Sequence, residues 1–297
     1  MRDPHWALVQ YRLPGDPRVR SGILAGETVV EPPPGIGDSL LAALARWDEI
    51  AAQLRQWSPA GGAPVPHAQL VAPLTYPGKI LAAGANYYGH VAEMGIKAPD
   101  AASEPFFFLK PPVTTVIGPA APIPFPAYPG VQLDWEAELG VVIGRTAKDV
   151  PPVRARDHVA GYLVANDLSA RDRTARADAA SPHFVYDWLG HKGQDGFCPI
   201  GPGIVPAWLV PDPQQLSIRL TVNGVLKQDA STRDMIIDVD HLIAGASRTA
   251  TLRPGDIILT GTPAGVGVPR GEFLSPGDTV IVEIEGIGVL RNRVISI

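Results

Sequence analysis

"LDWEAELGVVIG" (residues 133–144) reads as a strand with an apolar body and two glutamates near its head. Glu136 and Glu138 stand two apart, and side chains two apart on a strand point to the same face. Two negative charges on one side of a core strand repel, so the fold has to supply something that offsets them. A second apolar run, "AGYLVANDLSARD" (160–172), ends on Asp167, where a buried strand opens into a loop. Three carboxylates from two strands can converge on one hard cation, and that cation offsets the repulsion. Neither stretch holds a histidine, and a carboxylate triad points to Mg²⁺ or Mn²⁺ over Zn²⁺.

Outward from this pair of strands, 32 prolines and 31 glycines punctuate short apolar runs along the chain. That is the pattern of a strand-rich fold with many turns. Strands are expected at 79–84, 138–143, 159–166, 216–222, 256–260 and 279–284. Helical spacing is clearest over 37–57, where Leu40, Leu41, Leu44, Trp47 and Leu54 recur after Asp38 as N-cap. A shorter helix is expected over 240–249. "SPAGGAPVPHA" (58–68) reads as a linker. The expected organisation is a small N-terminal α+β domain, 1–70, followed by a strand-dominated domain, 71–297.

Composition narrows the function classes. Of 297 residues, 45% are hydrophobic and 19% charged, which is globular composition. The net charge of -5, without a basic block, argues against a nucleic-acid partner. Cys198 is the only cysteine, so neither an intrachain disulfide nor a thiolate zinc cluster can form. No signal-peptide pattern and no run of ~18 apolar residues is present, so no membrane partner is expected. A soluble, cytoplasmic setting is the expectation. There is no P-loop and no G-x-S-x-G elbow. "GTPAGVG" (261–267) is glycine-rich, but it sits late in the chain with no helix signal after it, unlike a dinucleotide fingerprint.

Two further stretches carry groups that can do chemistry. "NYYGHVAEMG" (86–95) supplies His90 and Glu93, three apart and on one face of a helix. A carboxylate beside an imidazole orients it and raises its basicity, which suits activation of water. "HKGQDGFCPIGP" (191–202) holds Lys192.

These residues carry a resemblance. From about residue 75 to 297 the chain resembles the fumarylacetoacetate hydrolase family. The resemblance runs through "GANYYGHVAEMG", "FFFLKPPVTTVIGP", "LDWEAELGVVIG", "GYLVANDLSARD", "KGQDGFCPIGP", "VNGVLKQDASTRDM" and "PGDIILTGTPAGVGV", in that order. It implies a β-rich α+β fold: a mixed β-sandwich roll around one divalent cation, Mg²⁺ or Mn²⁺, in a homodimer. It gives Glu136, Glu138 and Asp167 to the metal, and His90 and Glu93 to a water-activating dyad on a short helical lid. Lys192 resembles the active-site lysine. Arg171 and Thr262 match positions that hold the 2-oxo acid end of a substrate, and Lys110 matches a recurrent lysine in a supporting role.

The implied activity is hydrolysis of a C–C bond in a 2,4-dioxo acid such as an acylpyruvate or fumarylpyruvate, of the kind met in aromatic-compound catabolism. His90 and Glu93 would activate the water, and the cation would stabilise the enolate. The same site would also serve an oxaloacetate-type decarboxylase or a 2-hydroxyhepta-2,4-diene-1,7-dioate-type isomerase. A metal-dependent binding protein for small acids is a further reading, against which both dyad residues stand. The chain departs from the family at Thr174, where many members have glutamine, and at Gln194, where many have phenylalanine. The long span between Asp167 and Lys192 holds Phe184, Tyr186 and Trp188. These aromatics fit either core or dimer packing, or a reshaped substrate pocket. Segments 86–103 and 173–190 are expected to be mobile and to order over substrate.

Overall fold

The computed structural model describes residues 6–296. The chain starts with a meander, β1 (Trp6–Leu13), β2 (Asp16–Ala25) and β3 (Thr28–Val30). Two helices follow, α1 (Leu40–Leu44) and α2 (Trp47–Gln56), where one was expected. Ser39, and not Asp38, is the N-cap: its hydroxyl accepts from the Ala42 N–H at 3.3 Å. The helix breaks at Arg46, whose φ of -118° and ψ of 36° are not helical. With this corner, Leu40 and Leu44 of α1 and Trp47, Ile50 and Leu54 of α2 all reach one core. Each such side chain contributes about 1.5–3 kcal/mol when fully buried.

The expected linker does not hang free. Glu31 N–H donates to Ala63 O and Val65 N–H to Val29 O, both at 2.8 Å, which pins the segment to β3. It leads to β4 (Gln69–Val71), which returns to pair with β1. Leu8 of β1 also pairs with Ile204, so one sheet runs across the expected boundary at residues 70 and 71.

The larger part continues with β5 (Ile80–Ala83), α3 (Tyr88–Glu93), β6 (Phe107–Lys110), β7 (Val116–Ile117), β8 (Ile123–Phe125), β9 (Leu133–Asp134) and β10 (Ala137–Ile143). Then come α4 (Pro152–Ala155), β11 (Val159–Asn166), β12 (Ser169–Ala170), α5 (Trp188–Lys192) and β13 (Cys198–Pro206). The hairpin β14 (Ser217–Val222) and β15 (Val225–Ser231) precedes α6 (Val239–Thr249), β16 (Ile257–Leu259), β17 (Thr279–Ile284) and β18 (Gly288–Ser296).

An eleven-stranded mixed sheet runs β3-β2-β1-β13-β11-β10-β16-β5-β6, with β4 beside β1 and β7 beside β13. A five-stranded sheet runs β15-β14-β17-β18-β8, and β9 pairs with β12. Among the described residues neither sheet closes into a barrel. The two sheets pack through Leu139, Val141, Tyr162 and Val164 against Ile218, Leu220, Val280 and Val282. The other face of β10 and β11, carrying Val142, Ala160 and Leu163, packs with α1 and α2. Both faces of these central strands are covered, so their sequences run almost continuously apolar. Strands β14 and β17 have one covered face, and they alternate. Gly144 lets α2 approach: a Cβ there would lie 2.5 Å from Trp47 Cδ1.

Candidate metal centre and active site

The head of β10 and the end of β11 deliver the acids. One carboxylate oxygen from each of Glu136, Glu138 and Asp167 lies within 4.8 Å of the others, and all three side chains are buried. Asp167 N–H donates to Glu136 O at 2.9 Å and Glu136 N–H to Asn166 Oδ1 at 3.0 Å, so main-chain and amide bonds hold the two stretches in register.

Cations meet two of the three acids. Lys192 Nζ donates to Glu136 Oε2 at 2.7 Å and to Asp167 Oδ2 at 2.8 Å. Arg171 Nη2 donates to Glu136 Oε1 at 2.7 Å. Lys110, expected to support the substrate end of the site, instead donates its buried Nζ to Asp167 Oδ1 and to Leu168 O. Burial alone would raise Glu136, but Lys192 and Arg171 outweigh it and hold the carboxyl below its ordinary range. Burial would likewise lower Lys192, yet Asp167 and Glu136 raise it, so it stays an ammonium.

Glu138 is different. Among the described residues no lysine or arginine pairs with it, and its one hydrogen bond comes from Gly261 N–H at 2.6 Å. Burial, Asp167 and Glu136 together push its carboxyl well above the usual range. Glu138 is thus the one acid of the three without a cationic partner among the described residues, and the cluster's donors are hard carboxylate oxygens. A divalent cation fits both facts.

The dyad also forms. His90 Nδ1 and Glu93 Oε1 are 2.9 Å apart on α3. Glu93 as acceptor places the proton on Nδ1 and leaves the Nε2 lone pair free. The second Glu93 oxygen accepts from Gly265 N–H at 2.8 Å, so the carboxylate is held from both sides. His90 lies close enough to Glu136 to interact with its carboxylate electrostatically.

The loop at 261–268 is where these parts meet. Its amides serve Glu138 from Gly261, Glu93 from Gly265, and Asp134 from Gly267 and Val268 at 2.7 and 3.1 Å. Asp134 in turn accepts from Arg171 Nε at 2.8 Å. Gly261 and Gly265 have φ of +92° and +109°, which only glycine adopts readily. A Cβ on Gly265 would stand 2.1 Å from Lys227 O. Thr262, in the same loop, is buried and accepts from Gln228 Nε2 at 2.9 Å.

The model for the fumarylacetoacetate (FAA) hydrolase C-terminal domain matches residues 79–295. This chain belongs to the fumarylacetoacetate hydrolase family. Among its relatives, a mitochondrial oxaloacetate tautomerase of Xenopus laevis is 42% identical over 228 residues, covering 76% of this chain and 68% of that protein. A fumarylacetoacetate hydrolase from psychrophilic Exiguobacterium antarcticum superposes with a TM-score of 0.83 at 34% identity, covering 98% of this chain and all of that one (100%). A maleylpyruvate hydrolase from Sphingobium sp. SYK-6, solved with manganese(II) and pyruvate, gives a TM-score of 0.76 at 29% identity, covering 98% and 99% of the two chains. The family's β-rich fold of mixed sheets with few helices is the fold described above.

Three polar residues in this fumarylacetoacetate hydrolase-type centre escaped the sequence reading. Asp134 stands two before Glu136, so acids at 134, 136 and 138 alternate, and that run of three was the available signal. Gln228 lies mid-strand with no exposure, and a lone glutamine in a strand gives little signal. His191 precedes Lys192, is buried, and has no partner for either ring nitrogen among the described residues. It stacks on Trp188, which also stacks on Phe108 and Tyr186. Of the three aromatics between Asp167 and Lys192, Trp188 and Tyr186 belong to this cluster, and Tyr186 and Phe184 are exposed. Gln194 bonds Tyr128 Oη and Gly190 O at 3.2 and 2.7 Å.

Proposed function

We propose that this protein is a divalent-metal-dependent hydrolase that cleaves the C3–C4 bond of a 2,4-dioxo acid of the acylpyruvate or fumarylpyruvate type. The observation that carries the reading is the His90–Glu93 pair, held at 2.9 Å with its carboxylate anchored on Gly265 and placed beside the acid cluster. Glu136, Glu138 and Asp167 would hold the cation, Mg²⁺ or Mn²⁺, which supplies a Lewis acid for the 2-oxo acid. The maleylpyruvate hydrolase solved with manganese and pyruvate supports this assignment.

The chain's own groups do the rest. His90 Nε2 takes a proton from water, and the water oxygen bonds to C4. Lys192, fixed as a cation, balances the negative charge that develops on the C4 oxygen. The C3–C4 bond then breaks, and its electron pair passes into the neighbouring 2-oxo group. The proton held by His90 returns to C3, giving pyruvate and a second acid. Thr262 and Arg171 would bind the carboxylate end, with Arg171 held in place by Asp134 and Glu136.

A second reading is favoured by the Xenopus relative, named for oxaloacetate tautomerisation. There the substrate is a 2-oxo dicarboxylate, and His90 moves a proton at C3 without adding water. Product analysis with Mg²⁺ or Mn²⁺ separates the two: acylpyruvates or fumarylpyruvate should yield two acids. In Glu93→Gln, the hydrolytic kcat should fall by roughly 10²–10⁴, with metal and oxalate binding near wild type. Acylpyruvate cleavage at full rate in that variant would put the oxaloacetate reading ahead.

The reading includes a cytoplasmic homodimer. The lone Cys198 is buried, and burial pushes its thiol up to about 12, which leaves it little thiolate to react. No helix among the described residues is long and apolar enough to cross a membrane. β6 ends the large sheet, and around it Phe106, Leu109, Tyr186 and Leu189 are exposed.

A further inference from the structure

Gln228 is fully buried on β15, far in sequence from the residues it touches. Its Oε1 accepts from Ala137 N–H at 2.9 Å. Its Nε2 donates to Pro263 O at 2.8 Å and to Thr262 Oγ1 at 2.9 Å. An amide can be turned end for end without changing its shape, so its orientation has to be read from its partners. Here the partners leave no choice. A main-chain N–H can only donate and a main-chain carbonyl can only accept. Ala137 therefore fixes the oxygen end, and Pro263 fixes the nitrogen end.

The consequence falls on Thr262. One amide hydrogen serves Pro263 O and the other serves Thr262 Oγ1, so the threonine hydroxyl is an acceptor on this side. Its own hydrogen has to lie on another side, away from Gln228. Among the described residues no acceptor receives that hydrogen. We propose that Gln228 is a positioning residue that sets the polarity of the Thr262 hydroxyl, making it an obligatory hydrogen-bond donor to a carboxylate oxygen of the substrate. A hydroxyl free to turn would accept as readily as donate, and it would discriminate poorly between an anion and a neutral group. The inference rests on the reading of Thr262 as a substrate contact and adds the residue that commits its direction.

The same amide does a second job. Ala137 sits between Glu136 and Glu138, so Gln228 joins the acid-bearing strand to the loop that carries Thr262. A purely structural brace would also make this link, and the test has to tell the two apart. Titration calorimetry with oxalate in the presence of Mg²⁺ gives the first readout. Thr262→Val should weaken oxalate by about tenfold or more, the loss of one hydrogen bond to a charged acceptor. Gln228→Met should weaken it comparably, and in the Thr262→Val background it should cause no further loss. Additive losses mean that Gln228 is only a brace, and they overturn the proposal. Unchanged affinity in Gln228→Met, with Thr262→Val weakened, overturns it while leaving Thr262 as a substrate contact. Unchanged affinity in Thr262→Val removes both. Neutron diffraction from deuterium-exchanged wild-type crystals decides the matter without any variant, should Gln228→Met not fold. The Thr262 hydroxyl deuteron is expected to point away from Gln228, and a deuteron bonded to Thr262 Oγ1 and directed at Gln228 overturns the proposal.

Discussion

Glu138 is the acid with no lysine or arginine of its own, so its fate depends most on the cation. Glu138→Gln keeps the volume and an acceptor for Gly261 N–H but removes a charge. Metal affinity, followed by calorimetry, should fall by more than about 100-fold, beyond what loss of a supporting contact causes. The added thermal stability given by Mg²⁺ should shrink with it. His191 makes a different prediction. Burial first, then Lys192 and Arg171, bring its imidazole down to about 2. The unfolded chain takes up this proton below pH ~6.5 and the folded chain does not. Stability should therefore fall as pH drops from 6.5 towards 2, with a slope approaching 1.4 kcal/mol per pH unit, roughly, for this one group. Urea titrations at pH 7 and pH 5 should show a smaller acid loss in His191→Phe than in wild type; an equal loss would remove His191 as the cause. The convergence of Glu136, Glu138 and Asp167 was legible from strand alternation and strand end alone. Asp134 and Gln228 were not, because their meaning lies in partners such as Gly267, 133 residues further on, and Thr262.

At the level of elements, β11 matches the expected 159–166 because burial on two faces leaves a long apolar run, and β17 matches the expected 279–284 because its one covered face leaves an alternating one. The break between α1 and α2 was invisible, since both halves keep helical spacing and the corner is set by the packing of Trp47 against Gly144 and Trp208. The cap can be tested directly. Ser39→Ala should cost about 0.5–2 kcal/mol in urea denaturation. Asp38→Ala, without the capping bond, should cost less, and the reverse order would return the cap to Asp38. The segment 174–187 forms a small ladder, with Arg176 N–H on Val185 O at 2.8 Å and Asp187 N–H on Thr174 O at 3.2 Å. Its few bonds, and the single Glu93–Gly265 bond tying α3 to the loop, make both segments candidates for opening. Amide exchange in 86–103 and 174–187 should slow when oxalate and Mg²⁺ are added; equal rates with and without them would mean that neither is a lid.

For the molecule as a whole, composition and punctuation showed a strand-rich chain, but they could not show that β1 joins the large sheet through Ile204. Pairings of such separation leave no local trace in sequence. The exposed residues around β6 and α5 carry the prediction at this scale. Leu109→Asp combined with Leu189→Asp should shift the mass measured by light scattering from two chains to one, and a wild type that is already monomeric would end the homodimer reading. The loop at 261–268 has a consequence for descent. Its bonds to Glu93, Asp134 and Glu138 come from peptide amides, and side-chain identity enters only through the glycines that let the loop take this path. The alignment of base, guanidinium and ligand is therefore inherited as a shape of the main chain. Side chains that face the site can then vary without moving that frame, which suits a family whose members include proteins named for maleylpyruvate hydrolysis and for oxaloacetate tautomerisation.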